Sequence, residues 1–368
     1  MFRHGALTLI NENERQPMTQ SELAEYNVGE NLDALMNLDP RGYGVCRILY
    51  AGSRKMAGEP TAMRTAKHIH ALLRVASGDT TVLIMTGFVL RPHLQPETDG
   101  IVGALLLARA LITAYGITPV LSVHEKNLPA VIHCAVTMGL HCYDDIQTAR
   151  NLPLSFAYVA IPVNAASAQK KTQTLLDFLH PAFVFATECA GANAQGEYHN
   201  AIGVNMTELE AKQDALFTGF AAQGVPTFAV GDLGNEIGMG ALADFITIFV
   251  PCACKCWCEG GIVAATEADY MVTGTVSDWG VYAIIAALAF LVGDIAVLHT
   301  AQMEEAVLRE CCRCGMVDMT GSLLPAIDGF SVEIENWIVS LMRSTVEYAL
   351  TYRNDFWFGS VLEKRFYE

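Results

Sequence analysis

Short apolar runs alternate with helical stretches along most of this sequence. Four of the runs carry almost no charge, at 80–88, 155–161, 182–188 and 226–230. Continuous apolar strands of this kind are typical of a parallel sheet whose two faces are both covered. The stretches between them, such as 99–116 and 206–224, have the length and apolar spacing of helices. The alternation therefore predicts an α/β fold, with a mostly parallel, doubly wound sheet between two layers of helices.

The chain is interpreted as a polar N-terminal arm, residues 1–40, followed by a single α/β domain, residues 41–368. A helix is expected near 21–38 in the arm. Hydrophobic residues make up 52% of the chain and charged residues 17%, so a large buried core is expected. The most apolar segment, 279–293, is shorter than the roughly 20 residues that span a bilayer, and it predicts a buried helix.

The formal net charge of −16 bears on the partners of the protein. Nucleic-acid binding needs a basic face, and anionic membranes repel an acidic surface, so neither partner is expected. A small-molecule substrate is the expected partner, and a homo-oligomer is left open. The N-terminal residues lack the pattern of a signal or transit sequence, so we expect a cytoplasmic location, with a mitochondrial one left open.

Eleven cysteines are present, and four of them alternate in the segment "CACKCWC" at positions 252, 254, 256 and 258. Paired zinc ligands are usually separated by two or more residues, because the chain has to wrap around one ion. A one-residue spacing favours a cluster of reduced thiols, with metal binding as the alternative. The role of this cluster stays open at the level of the sequence.

Polar side chains collect where four of the predicted strands end. In a parallel sheet, ligands bind at the carboxyl ends of the strands. The candidate residues at these ends are Glu97 and Asp99; Glu188, His199 and Asn200; Gly231, Asp232, Gly234, Asn235 and Glu236; and Ser277, Asp278 and Trp279. Four polar loops on one sheet edge predict a small-molecule site.

The loop "GDLGNEIGMG", residues 231–240, is the densest of these stretches. Its glycines allow a sharp turn and a close approach to a ligand. A helix starting near Asn235 would present free N–H groups to an anion, and Asp232 and Glu236 would serve as acid, base or metal ligands. The alternative is a plain helix cap. Asp328 and Glu333, in "AIDGFSVE", are a further acidic pair, which is interpreted either as functional or as a turn and a helix start.

These strings resemble the D-glutamate cyclase family, in its C-terminal catalytic domain, from about residue 40 to 345. The cysteine-rich stretch before residue 262 is similar to that of fungal members. The matching strings are "TGF" at 86–88, "ETDG" at 97–100, "E-x-A-G" and "G-x-Y-x-N" within 188–200, "GDLGNEIGMG" at 231–240, "EADYMV" at 267–272, "SDWGVYA" at 277–283 and "DGF" at 328–330.

The resemblance implies a lyase that converts D-glutamate to 5-oxo-D-proline with loss of water. Closure of the internal amide needs a base for the α-amine, a donor for the oxyanion and an acid for the leaving hydroxide. Glu97, Asp99, Asp232 and Glu236 are the implied catalytic acids. The implied substrate-binding residues are Glu188, Asn200, Gly231, Gly234, Asn235, Ser277, Asp278 and Trp279. Asp99, Asp232 and Glu236 also suit Mg²⁺ or Mn²⁺.

The chain departs from the family pattern at four positions. The family commonly has arginines where Cys189 and Ala192 stand, an aspartate at Gln195, and "SNWG" in place of "SDWG" around Asp278. Each lost charge-assisted contact is expected to weaken binding of a dianionic amino acid by about 1.5–3 kcal/mol. A less acidic substrate, a cyclase or dehydratase of a specialised metabolite, and a non-catalytic small-molecule-binding homologue are therefore the alternatives.

Overall fold

Seven parallel strands form the central sheet of the part of the chain that the structure describes. The computed structural model describes residues 18–251, 253 and 256–367; Cys252, Cys254 and residues 1–17 of the predicted arm lie outside them. In chain order, the strands are β1 Thr81–Gly87, β2 Val89–Leu90, β3 Gln95–Pro96, β4 Thr118–His124, β5 His141–Tyr143, β6 Ser155–Ile161, β7 Val184–Cys189, β8 Thr227–Gly231, β9 Tyr270–Thr273, β10 Ala326–Ile327 and β11 Phe330–Ser331. The central sheet contains β1 and β4 to β9.

Some of the helices begin or end at conventional capping signals. A capping box between Thr19 and Glu22 starts the first helix, and Gly116 ends the fourth in a left-handed conformation. The helices are α1 Gln20–Met36, α2 Val45–Ala57, α3 Thr61–Leu73, α4 Ile101–Tyr115, α5 Leu128–Thr137, α6 Ile146–Asn151, α7 Ala165–Phe178, α8 Asp214–Ala222, α9 Ala243–Phe249, α10 Ser277–Val292, α11 Ala301–Arg313, α12 Val332–Tyr352 and α13 Phe356–Leu362.

Helices cover both faces of the sheet, which confirms the predicted three-layer α/β fold. Val82 and Ile84 of β1 pack with α1, α3, α4 and α10 on one face. Leu83 and Met85, which alternate with them, pack with α7, α8 and α9 on the other face. Successive side chains of a strand point to opposite faces, so a strand buried on both sides has to be apolar throughout.

The most apolar predicted helix is α10, which is buried in the first of these layers. Among the described residues, no helix has both the length and the apolar content needed to cross a bilayer.

The sheet order places a ligand-binding crevice beside β1. The order is β5-β6-β4-β1-β7-β8-β9, so the chain goes from β1 to β4 on one side and later returns to β7 on the other. Such a reversal in strand order opens a crevice at the carboxyl ends of the strands. The loops after β1, β7, β8 and β9 lie on that edge, next to one another.

The helix expected over 206–224 is wrong in its first half, because α8 begins at Asp214. The preceding residues are held as turns by side chains that bond to the sheet. Glu210 accepts a hydrogen bond from the Val89 N–H at 3.2 Å. Gln213 donates to the Thr86 carbonyl at 3.1 Å and accepts from the Ser122 hydroxyl at 2.7 Å. These long-range bonds override the local helical pattern. The short elements β5 and α6, and the polar helix α2, were not predicted from the sequence.

Candidate active site

Two helices, α4 and α10, begin at the crevice, and each is capped by an aspartate from the other's segment. Asp99, which precedes α4, accepts hydrogen bonds from the backbone N–H groups of Ser277 and Asp278 at 3.2 and 2.9 Å. Asp278 accepts from the N–H groups of Gly100 and Gly103 at 2.9 and 3.0 Å. Carboxylates at helix N-termini satisfy free donors and interact favourably with the helix dipole. This exchange fixes the two helices against each other.

The close approach depends on Gly103. A Cβ atom at this position would lie 2.2 Å from the Asp278 Oδ1 atom. The acceptor that caps α4 is this one oxygen, and an asparagine Oδ1 would serve equally well. The departure from "SNWG" to "SDWG" therefore leaves the cap intact and adds a titratable group beneath the site.

Glu188 enters the site from the end of β7. Its backbone φ of +39° lies in the left-handed region, which is uncommon for a residue other than glycine. Such strain costs of the order of 1–3 kcal/mol and is typical of functional positions. The Ser277 hydroxyl donates to Glu188 Oε2 at 2.7 Å. Gly100 makes room for the turn, since a Cβ there would lie 2.4 Å from Glu188 Cβ.

The loop after β8 is organised by Glu236. Its Oε1 accepts from the N–H groups of Asp232 and Leu233, both at 3.0 Å, and its Oε2 accepts from Gly234 N–H at 2.7 Å. The expected helix start at Asn235 is wrong, because the next helical residues are the 3₁₀ turn at Gly240–Leu242 and then α9. The loop N–H groups bind the chain's own carboxylate, so they are not free to hold an anionic substrate.

Three carboxyls from three different loops converge in front of these elements. Oxygen atoms of Asp99, Glu188 and Asp232 all lie within 4.8 Å of one another. Asp328, which has a φ of +53°, lies beside Asp232 on the β10–β11 turn, and Glu97 is buried next to them. The structure thus brings together the predicted acids Glu97, Asp99, Asp232 and Glu236, and it adds Glu188 and Asp328 to them.

Burial raises the pKa of Glu97, Asp99, Glu188 and Asp232, and repulsion from neighbouring carboxyls raises it further. The pKa of Asp99 rises to about 8, through burial and the nearby Asp328. Burial raises the pKa of Glu188 well above its ordinary value, and the nearby Glu236 raises it further. The pKa of Asp232 is raised by burial and by Glu188, and that of Glu97 by burial and by Asp328. Acids with such raised pKa values can hold and transfer protons near neutral pH.

Arg41 is a site component that the sequence did not reveal. Burial raises the pKa of Asp328, while Arg41 and a hydrogen bond from Asp232 act to lower it. Within the described residues, the Arg41–Asp328 contact, at 3.9 Å, is the salt bridge that reaches these acids. The guanidinium also donates to the Asp328 carbonyl at 3.0 Å and covers the Phe330 ring at 4.6 Å. Arg41 lies in the turn between α1 and α2, far from the motifs in sequence.

Several predicted binding residues have other contacts. Asn200 uses its side-chain oxygen to accept from the N–H groups of Ile202 and Val204, within its own turn. The Trp279 indole N–H donates to Glu335 at 2.7 Å in the interior. Asn235 is buried, and its carbonyl accepts from Gly191 N–H. Gly231 ends β8, and Glu333 is exposed and outside the cluster.

The positions that depart from the family pattern lie beside the acid cluster or outside it. Cys189 packs on the opposite face of β7 from Glu188, and the Gln213 amide donates to its sulfur at 3.2 Å. Burial raises the pKa of its thiol, and the nearby Asp214, Glu210 and Glu188 raise it further. Gln195 is exposed. The acids that act on position 189 are therefore Asp214 and Glu210 as well as Glu188 of the cluster.

We expect the folded state to become less stable as the pH rises from about 4 to about 8. Burial raises the pKa values of Asp99, Glu210 and Glu304 each to about 8. In the unfolded chain these carboxyls titrate near pH 4. Their contribution is thus complete below about pH 4 and is lost as the pH rises through about 8. Thermal melts across this range measure the effect, and a melting temperature that stays constant or rises would contradict it.

The fold and site define a doubly wound α/β protein with a buried, carboxyl-rich cluster at its switch point. The chain belongs to the D-glutamate cyclase-like family, because the family model described as "D-glutamate cyclase-like, C-terminal" matches residues 32–343. The chain is 31% identical over 242 residues to the human protein named "D-glutamate cyclase, mitochondrial". That alignment covers 62% of this chain and 35% of the human protein, so the chain spans about a third of its relative. Membership supports a function of the cyclase or lyase kind.

Proposed function

We propose that this protein is a lyase that closes an amino-acid substrate into a lactam with loss of water. D-Glutamate, giving 5-oxo-D-proline, is the first candidate. The observation that carries the proposal is the convergence of Asp99, Glu188 and Asp232, whose oxygens lie within 4.8 Å of one another and whose pKa values are raised. The family match and the name of the human relative support the reaction class.

The reaction needs two proton transfers. The α-ammonium group must lose one proton before its nitrogen attacks the carbon of the γ-carboxyl group, and a second proton once the C–N bond has formed. The C–O bond then breaks, and its oxygen gains two protons and leaves as water. The leaving hydroxide must therefore receive a proton from an acid. General acid–base groups of this kind contribute roughly 10²–10⁴-fold to a rate.

Hydrogen bonding separates the acids that can transfer protons from those that hold the structure. Asp99 accepts from three backbone N–H groups, and Glu236 accepts from three more. Asp232 instead shares a hydrogen bond with Asp328, which forms an ion pair with Arg41. In our proposal Asp232 is the acid that protonates the leaving hydroxide, and Glu188 is the base that accepts the amine proton. Asp99, Asp278 and Glu236 are positioning residues.

The same carboxyls fit a hard divalent cation such as Mg²⁺ or Mn²⁺. Asp99, Glu188 and Asp232 offer oxygen ligands within 4.8 Å of one another, whereas Glu236, one of the ligands suggested by the sequence, is outside this group. A cation bound there would neutralise the clustered charge and polarise the γ-carboxyl group. The assignments of Asp232 and Glu188 above rest on the contacts of this chain alone.

A less acidic substrate is the second candidate. The described site gathers Glu97, Asp99, Glu188, Asp232 and Asp328 around a single arginine ion pair. An excess of acids on this scale favours a substrate with fewer negative charges than D-glutamate. D-Glutamine is a suitable probe, because its cyclisation gives the same ring with loss of ammonia.

The test is an incubation of the purified protein with D-glutamate, L-glutamate and D-glutamine, with and without Mg²⁺ or Mn²⁺, followed by detection of 5-oxoproline. We expect product from D-glutamate. Product from D-glutamine alone would favour the less acidic substrate. Calorimetric binding of D-glutamate with no product from any of the three would contradict the lyase and support a binding protein.

A further inference from the structure

Outside the acid cluster, two surface segments bring together a carboxylate, an imidazole and a thiol. Ligand atoms of Glu197, His199 and Cys258 all lie within 4.8 Å of one another. Glu197 and His199 belong to the segment that follows β7, and Cys258 belongs to the cysteine-rich segment some 60 residues later, so no local motif predicts their meeting. The Glu197 carboxylate lies 3.6 Å from the His199 ring.

The backbone explains why Glu197 and His199 point the same way. Residues 192 and 198, and residues 199 and 205, pair as antiparallel bridges, so this stretch is extended. In an extended chain, side chains two residues apart lie on the same side.

Asn193 ties this stretch to the cysteine segment. Asn193 is buried, and its amide donates to the Gly261 carbonyl at 2.7 Å and to the Cys258 sulfur at 3.3 Å. The Gly260 N–H also points at the Cys258 sulfur, at 3.4 Å. N–H donors of this kind fix the position of a ligand atom before a metal binds. The ligand atoms are therefore already oriented by the surrounding chain.

We propose that Glu197, His199 and Cys258 form a zinc site, separate from the carboxyl cluster. One sulfur, one nitrogen and one oxygen ligand are the donors that Zn²⁺ accepts, whereas Mg²⁺ prefers oxygen alone. Three such ligands leave a fourth position of the tetrahedron for a further ligand such as water. Cys256 is outside the triad, because its thiol donates to the Cys258 carbonyl at 3.2 Å.

The site joins two segments that flank the loop of Asp232. The Gly191 N–H donates to the Asn235 carbonyl, and the Ala265 N–H donates to the Ala192 carbonyl, so residues 190–193 lie between that loop and the end of the cysteine segment. An ion held by Glu197, His199 and Cys258 would link the segment that follows β7 to the cysteine-rich segment, on either side of residues 190–193. Such a link would lie at the rim of the candidate active site.

Cobalt titration of the metal-stripped full chain tests the proposal, because a Co²⁺–thiolate bond has a sulfur-to-cobalt charge-transfer band in the near ultraviolet. We expect this band in the unaltered protein and in Cys256→Ser, the matched control from the same loop. We expect it to be lost in Cys258→Ser. Co²⁺ bound by the carboxyl cluster gives no such band, so the two sites are distinguished. Absence of the band from the unaltered protein, or its survival in Cys258→Ser, would overturn the proposal.

Asn193→Ala supplies a second measurement. Partners that orient metal ligands typically contribute 10–100-fold to metal affinity, so we expect the Co²⁺ dissociation constant to rise by about that factor. Zinc should also raise the melting temperature of the unaltered protein but not that of His199→Ala. An unchanged affinity in Asn193→Ala, together with equal zinc stabilisation of His199→Ala, would contradict the site.

Discussion

Asp232→Asn is expected to lower turnover by roughly 10²–10⁴-fold, the range for loss of a general acid or base. Asp232 has a raised pKa and shares a hydrogen bond with Asp328, and in our proposal it holds the proton that the leaving hydroxide receives. An asparagine amide has the same shape and can still donate to Asp328, but it cannot release a proton to a leaving hydroxide. We therefore expect the free energy of unfolding to stay the same or rise slightly. Product formation and urea denaturation are the two measurements.

Asp244→Asn is the matched control for this experiment, since Asp244 is an exposed acid twelve residues further along the same connection. Its turnover should equal that of the unaltered protein. If Asp232→Asn keeps full activity on every substrate that the protein turns over, the assignment of Asp232 is wrong. If its activity is lost together with stability, the effect comes from folding and not from proton transfer.

The sheet could be predicted from the sequence because burial on both faces leaves a local signature. Strand β6 needs apolar side chains on both of its faces, and the uncharged run at 155–161 coincides with it. Likewise, α4 and α10 end at Gly116 and Gly293, both left-handed. The convergence of the polar loops follows from the same logic, since the carboxyl ends of parallel strands share one edge.

The roles within the site could not be predicted, because they depend on contacts between distant residues. Asp99 and Asp278 are 179 positions apart, yet each caps the helix of the other. Arg41 reaches Asp328 across 287 positions. Nothing in the local sequence distinguishes Asp99, which is a cap, from Asp232, which has no backbone donors among the described contacts. The acids look alike in sequence, and their hydrogen-bond partners assign them different tasks.

Glu236→Gln is expected to reduce both stability and turnover, in contrast to Asp232→Asn. The glutamine oxygen can keep the two N–H donors of Asp232 and Leu233, but its NH₂ group would face the Gly234 N–H, which now meets Glu236 Oε2 at 2.7 Å. Loss of a hydrogen bond to a charged group costs about 1.5–3 kcal/mol, so urea denaturation should show a decrease of that size. Displacement of the loop by about 1 Å should lower turnover roughly 10²-fold.

The control for Glu236→Gln is Glu267→Gln, an exposed glutamate whose side chain is outside the site. The double variant Asp232→Asn/Glu236→Gln then separates positioning from chemistry. If Glu236 acts only by holding Asp232 in place, the double variant should turn over no more slowly than Asp232→Asn alone, because a displaced asparagine has no proton transfer left to lose. Its stability should nevertheless show the full decrease of Glu236→Gln. A further drop in turnover, with stability unchanged in the single Glu236 variant, would mean that Glu236 itself takes part in the chemistry.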